Sequence, residues 1–323
     1  MTNRYLTLAL IASALWGVSY PITYLALRLY GVGQLLMLTY LFSVVLLMVA
    51  LVVWGYDGRS ILMGLLISPI NYALSYLYIK VAEYMGGLTA LISSGYVVPL
   101  IILDYFREGS VNIRHVVSAL TLLGSLYLLF QGYADSVDLA LLLMVLNLLY
   151  AIVLDRINDV DTLNLVFGQF IGTLLISLVM INRIPSITYL SVSYVYYPIL
   201  LALVGNVIPY TLYAISIRMI GPTETSLTTS VEIASSIFAS IPFQQLPTNP
   251  IAWILLITSI LSTSVGTPMN IHRGLTLTST YNENISEVFI TKGQDIHNYL
   301  TGEIMPRHRL RSVIVMLGRR KVI

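Results

Sequence analysis

The sequence predicts an all-α integral membrane protein: ten transmembrane helices in two inverted five-helix repeats, followed by a polar C-terminal tail. Three observations carry this. Of 323 residues, 57% are hydrophobic and only 10% charged, whereas a soluble domain runs near a quarter charged. The charge is unevenly spread, with 20 charged residues in 1–266 and 12 in the much shorter stretch 267–323. Within the body, long apolar runs alternate with short polar connections. Disorder is excluded, because it needs low hydrophobicity and high net charge, and here the net is +2 with a mean hydropathy of +0.83.

A helix needs about 20 apolar residues to cross a hydrocarbon core of roughly 30 Å, and unpaired backbone cannot sit in lipid. Ten runs qualify: 5–27, 34–54, 61–79, 86–103, 115–130, 139–154, 163–181, 194–217, 223–243 and 251–265. The first follows Arg4 but is longer than the apolar region of a secretory signal, so it reads as a retained span. The fifth, sixth and tenth cover only about 24 Å at 1.5 Å per residue and need their polar ends to complete the crossing. With the N-terminus inside, the cytoplasmic side collects Arg4, Arg59, Arg107, Arg114, Arg156, Arg218 and Arg273, and the outer side Arg28, Lys80 and Arg183. Seven against three follows the positive-inside rule and places both termini in the cytoplasm. Residues 267–323 form a cytoplasmic tail, in which Asn284 would carry no glycan. Its basic and apolar end, 306–323, is either solvated or lies on anionic headgroups.

An offset of 138 residues lays the third run on the eighth, with Ile61 on Ile199, Tyr72 on Tyr210, Ile79 on Ile217 and Lys80 on Arg218. Five spans per half is odd, so a duplicated half inserts upside down, an arrangement characteristic of secondary transporters with a substrate site near the midplane. The first repeat is 1–133 and the second 134–266.

Particular motifs sharpen this. The first run contains Trp16-Gly17-Val18-Ser19-Tyr20-Pro21. The stretch 82–106, with Ala90, Leu91, Ser93 and Pro99, leads into Arg107 and Glu108. The stretch 217–243 contains Gly221-Pro222-Thr223-Glu224-Thr225-Ser226 and Val231-Glu232-Ile233. In order and spacing these resemble the first, fourth and ninth spans of EamA-type transporters of the drug/metabolite transporter superfamily, over the whole body. That family commonly has proline after the ninth-span glutamate, where this chain has Ile233, and Glu-Arg after the fourth span, where this chain has Arg107-Glu108. The resemblance implies a multi-pass transporter of the cytoplasmic membrane that moves a small metabolite or drug, usually outward.

Of the 20 body charges, 19 lie at run ends or in connections, Glu224 in the first turn of the ninth run among them, and Glu232 alone lies well inside a run, near the bilayer midplane. A carboxylate there is costly unless protonated, paired or wet, which makes it a candidate for substrate binding and proton coupling; the alternative is a hydrogen-bonded acid that fixes packing. It belongs to a polar stripe of Thr225, Thr228, Thr229, Ser235, Ser236 and Ser240 at three- and four-residue steps. Comparable stripes run through Ser13, Trp16, Tyr20 and Thr23; Ser68, Asn71, Ser75 and Tyr78; Thr89, Ser93 and Tyr96; Asn147 and Tyr150; and Asn206, Tyr210 and Tyr213. If they converge they form an aromatic, hydrogen-bonding cavity with one acid. The candidate substrate-binding set is Trp16, Tyr20, Asn71, Ser75, Ser93, Tyr96, Asn147, Tyr150, Asn206, Tyr210, Tyr213, Thr228 and Glu232. Pro69 and Pro209 interrupt the third and eighth runs, as kinks or as hinges. Gly168 and Gly172 form a GxxxG expected to serve helix contact.

Other classes drop out. The body has nine basic and eleven acidic residues and no basic face for nucleic acid. With no cysteine, thiolate metal sites and cysteine nucleophiles are absent. No midplane Lys or Arg offers a counter-charge to phosphorylated substrates. No hydrolase or nucleotide-binding motif appears, and His115, His272, His297 and His308 lie at a span end or in the tail. The expectation is therefore a cofactor-free, non-enzymatic transporter of a neutral or cationic small molecule in the lipid bilayer. The alternative from another class is a non-transporting scaffold or lipid-handling protein that acts through its tail.

Overall fold

A computed structural model of the chain describes residues 2–90, 94–108, 110–130, 137–157, 160–181, 192–243, 249–264, 270–272, 290–291, 295–298 and 303–304. The chain divides into two compact units, Met1–Ile101 with Arg114–Gly266, and Ile102–Ile113 with Thr267–Ile323. The second contains β1 (Ser110–Asn112) paired antiparallel with β2 (Asn270–His272), and a small antiparallel sheet in the order β3 (Ile290–Thr291), β4 (Asp295–Asn298), β5 (Glu303–Ile304). The tail end 306–323 and Asn284 lie outside the described residues.

The first unit is helical. Its elements are α1 (Thr2–Ala26), α2 (Val32–Trp54), α3 (Gly58–Met85), the Val97–Ile101 part of α4 (Val97–Glu108), α5 (Ile113–Phe130) from Arg114 onward, α6 (Val137–Arg156), α7 (Thr162–Met180), α8 (Val192–Leu201), α9 (Ile208–Ile220), α10 (Pro222–Ser226), α11 (Thr229–Ser240) and α12 (Pro250–Ser264). Among the described residues, five helical segments are long and apolar enough to cross a bilayer: Arg4–Ala26, Val32–Trp54, Gly58–Leu88, Thr162–Met180 and Tyr194–Ile220. The burial pattern is that of a membrane protein. Val53 and Val179 are 89% and 80% exposed, an apolar surface that a soluble monomer does not display. Polar side chains such as Ser13, Asn71, Gln169 and Glu232 are buried among the helices.

Two runs expected as single helices are interrupted. Where 86–103 was to be continuous, α3 ends on Gly86 at φ +55 and is followed by 3-10 turns at Gly86–Leu88 and Ser94–Tyr96 before α4. Where 223–243 was to be continuous, Gly221 at φ +89 ends α9, and α10 is separated from α11 by a turn at Leu227 and Thr228. A left-handed φ is inexpensive only for glycine, and Pro222 then begins α10 because the first turn needs no N–H from it. The turn itself comes from hydroxyls bonding back to the preceding turn: Thr225 Oγ1 to Gly221 O, Thr228 Oγ1 to Thr225 O, Thr229 Oγ1 to Ser226 O and Ser230 Oγ to Leu227 O, all within 3.0 Å. Such bonds compete with the helical ladder and bend it.

The two prolines also behave differently from simple interruption. α3 runs through Pro69, and the carbonyl of Leu65, which that proline cannot serve, accepts from Ser68 Oγ at 2.7 Å. Pro209 follows a π-helical segment, Ala202–Val207, in which Ile208 N–H reaches Leu203 O. Such wide turns recur at functional sites.

Glycine lets two helix pairs approach at backbone distance. α3 and α7 meet where Gly64 and Gly168 oppose each other: a Cβ on Gly168 would lie 2.1 Å from Ile61 O, and one on Gly64 2.1 Å from Leu165 O. The GxxxG thus serves helix contact, as expected. On α1, a Cβ at Gly17 would lie 1.9 Å from Ser235 Oγ and 2.3 Å from Glu232 O of α11.

One end of the unit is latched by polar contacts between sequence-distant segments. Asp57 caps α3 and Asp161 caps α7. Asn164 Nδ2 donates to Gly55 O at 3.2 Å, and Arg218 donates to Val160 O and Thr162 Oγ1, both at 2.7 Å. The Ser60 hydroxyl bonded to Asp57, helped by the N–H groups of Arg59 and Ser60, holds the Asp57 carboxyl below its ordinary value, against the opposing cost of burial. A lowered folded value means that this carboxylate stabilises the fold at neutral pH and ceases to as pH falls through the range below about 4. Asp57→Asn, which keeps a cap acceptor but loses the charge, is therefore expected to flatten the acid limb of a melting-temperature profile below about pH 4; an unchanged limb would contradict this.

Candidate functional site

The stripes converge in the first unit on a cavity in which about 90 Å³ is reachable by the centre of a water molecule. A cavity holds a water in roughly 10–15 Å³ measured this way, so there is room for several waters or a small organic molecule. α1, α2, α3, α6 and the α8–α9 segment supply its walls, with Tyr96 and Glu232.

Ten of the thirteen candidate residues line it: Trp16, Tyr20, Ser75, Tyr96, Asn147, Tyr150, Asn206, Tyr210, Tyr213 and Glu232. Two others lie behind the wall. Asn71 is fully buried and donates through Nδ2 to Tyr40 Oη and Thr173 Oγ1, both at 3.0 Å, because α7 packs directly over its face of α3. Thr228 is turned to the α1 side, 2.8 Å from Ser13 Oγ, in the turn that separates α10 from α11. Ser93 lies outside the described residues.

Glu232 is 2% exposed and stands in the first turn of α11, so it sits near a helix start rather than mid-helix. The Tyr20 hydroxyl donates to its Oε1 at 2.6 Å, the separation usual for a hydroxyl on a carboxylate. Other phenols are similarly engaged: Tyr96 with Tyr213 at 2.6 Å, Tyr78 with Asn147 at 3.0 Å, and Tyr150 with Gln169 Oε1 at 3.0 Å. Trp16 packs edge-on against Tyr210 and Tyr213, at centroid distances of 5.2 and 4.9 Å. Buried tyrosines and tryptophans need such polar partners, and edge-on contacts suit their ring charge distribution.

The sequence reading missed the part that α2 plays in the cavity wall. Tyr40 lines the cavity, bonded to Ser75 at 2.6 Å, as does Thr39, and Ser43 Oγ accepts from Asn206 Nδ2 at 3.0 Å. The signal was present: Thr39, Tyr40 and Ser43 share one face of a helix that is otherwise almost wholly apolar. Ser19 and Gly205 were also missed. Among the described residues, Thr39 Oγ1 on the wall and Asn71 Oδ1 and Gln169 Nε2 behind it are buried polar atoms with no protein partner.

Trp16 and Pro209 are linked. Pro209 has no N–H for Gly205 O, four residues earlier, and Trp16 Nε1 donates to that carbonyl at 2.9 Å. Trp16→Phe is expected to cost about 1–3 kcal/mol, the cost of a part-buried carbonyl left without a donor. Adding Pro209→Ala, which restores an N–H, should recover part of it in thermal melts; equal destabilisation of the single and double variants would refute the link.

No family model matches the chain, and no curated protein matches it. Solved structures do. One protein of known crystal structure superposes with a TM-score of 0.63 at 18% identity, covering 82% of this chain and 98% of its own. The fold is shared. At that identity the likeness extends to the fold alone, though over nearly the whole of the other chain.

Proposed function

We propose that this chain is a secondary transporter of the EamA type, with ten membrane crossings in two inverted repeats and both termini in the cytoplasm of a cell whose membrane it spans. It alternates access around the central cavity, exports a small neutral or cationic molecule such as an amino acid or a drug, and couples to protons through Glu232. The observation that carries this is the cavity itself: a polar, aromatic chamber buried in apolar helices, built from residues of both chain halves and holding Glu232. Discontinuous helices around a midplane site are a transporter signature, and the 3-10 turn at Gly86–Leu88 packs on α11, Ser236 Oγ donating to Gly87 O at 2.6 Å. Gly86 and Gly221, both at positive φ, end the helices that carry the third and eighth runs.

The test is transport in proteoliposomes. Counterflow of candidate amino acids and organic amines should be saturable, respond to a pH gradient and survive truncation after Gly266. Loss of all activity on truncation would favour the tail-borne scaffold, and indifference to the gradient would remove the proton coupling.

A further inference from the structure

We propose that the cavity takes an organic monocation with a flat apolar body, and that its ammonium group displaces the Tyr20 hydroxyl from Glu232. This rests on the reading of the cavity as the substrate site. Among the described lining residues there is one carboxylate and no Lys, Arg or His, so the site has a formal counter-charge for a cation and none for an anion. A zwitterion would bring a carboxylate to a chamber whose phenols at Tyr78, Tyr96 and Tyr150 are already committed to Asn147, Tyr213 and Gln169.

The surroundings of Glu232 fit the rest of such a ligand. Trp16 and Tyr20 stand four residues apart on one face of α1, and the Tyr20 ring lies 5.9 Å from that of Tyr78. Aromatic faces attract cations, tryptophan most strongly, and the attraction grows when water is excluded. Tyr20 offers the carboxylate one neutral donor at 2.6 Å, whereas a primary ammonium offers three charged ones. Tyr20 thus occupies the site that the ligand's head group takes over, and sets a threshold that a merely hydrogen-bonding ligand does not cross.

The experiment compares four compounds with the same phenyl body on the purified full chain in detergent, by calorimetry: phenethylammonium, 2-phenylethanol, L-phenylalanine and 3-phenylpropanoate. Phenethylammonium should bind at least ten times more tightly than the other three. Glu232→Gln should erase that preference, and Tyr20→Phe should strengthen phenethylammonium binding several-fold. Both variants are near-isosteric, and the comparison on the unaltered protein needs neither. Equal binding of alcohol and amine, no phenethylammonium binding up to millimolar concentration, or weakened binding in Tyr20→Phe would overturn the proposal. Counterflow separates it from the transporter reading. Movement of the alcohol or the amino acid without cation preference sinks this inference alone, whereas Glu232-dependent cation binding without movement of any compound sinks transport alone.

Discussion

Gly168→Leu should leave little folded protein. The Cβ alone would lie 2.1 Å from Ile61 O and 2.8 Å from Ile61 C, and these are backbone atoms of α3 that cannot rotate away. The helices would have to part along their length, opening contacts also made at Gly64 and at Gly172, whose Cβ would lie 2.1 Å from Ser68 Oγ. Overpacking a single core site costs about 1–3 kcal/mol or more, and small residues are what let membrane helices associate closely. A loss on the order of 3 kcal/mol or more should appear as a melting temperature lowered by many degrees, or as aggregation in size-exclusion chromatography. Gly58→Ala is the control. A Cβ there meets nothing within 4 Å, so it should be neutral or slightly stabilising. Equal behaviour of the two variants would show that the α3–α7 seam is not as close as described.

Glu232→Gln should abolish transport while sparing the fold. Glutamine keeps an oxygen for Tyr20 and nearly the same volume, so the local hydrogen bond at 2.6 Å has a substitute and the close approach of Gly17 is untouched. What is lost is the negative charge. If that charge binds a cation or carries a proton, turnover should fall by about 100-fold, equivalent to about 2.7 kcal/mol, within the range for hydrogen bonds to charged groups. The check is the initial rate in proteoliposomes, normalised to folded protein. Undiminished transport would reduce Glu232 to a packing residue.

The hydrophobic runs were legible because a bilayer demands long apolar helices, and the residues 5–27, 34–54 and 163–181 correspond to α1, α2 and α7 within a few residues. Glu232 was legible for the same reason, being a charge where charges are expensive. The interruption at Leu227 and Thr228 was not. No proline or glycine marks Leu227 and Thr228, and the bend arises from four hydroxyl back-bonds between Thr225 and Ser230, which hydropathy counts as mere polarity. Tyr40 was overlooked because its helix reads as lipid-facing and the partner that gives it meaning, Ser75, is on α3. Asn71 was placed on the cavity because periodicity gives a face but not what covers it, and α7 covers it.

The two glycine seams divide the bundle mechanically. α3 with α7 and α1 with α11 are each joined backbone to backbone, so neither pair can shear internally without a collision. Any rocking must then occur between the pairs, across the cavity that Ser75 of α3 and Tyr20 of α1 both line. The Tyr20–Glu232 bond lies inside one pair, so it would travel with the moving part as cargo hardware rather than act as a gate. Because the chain has no native cysteine, spin labels can report this directly: an α3–α7 distance should stay constant on adding substrate, and an α3–α11 distance should change.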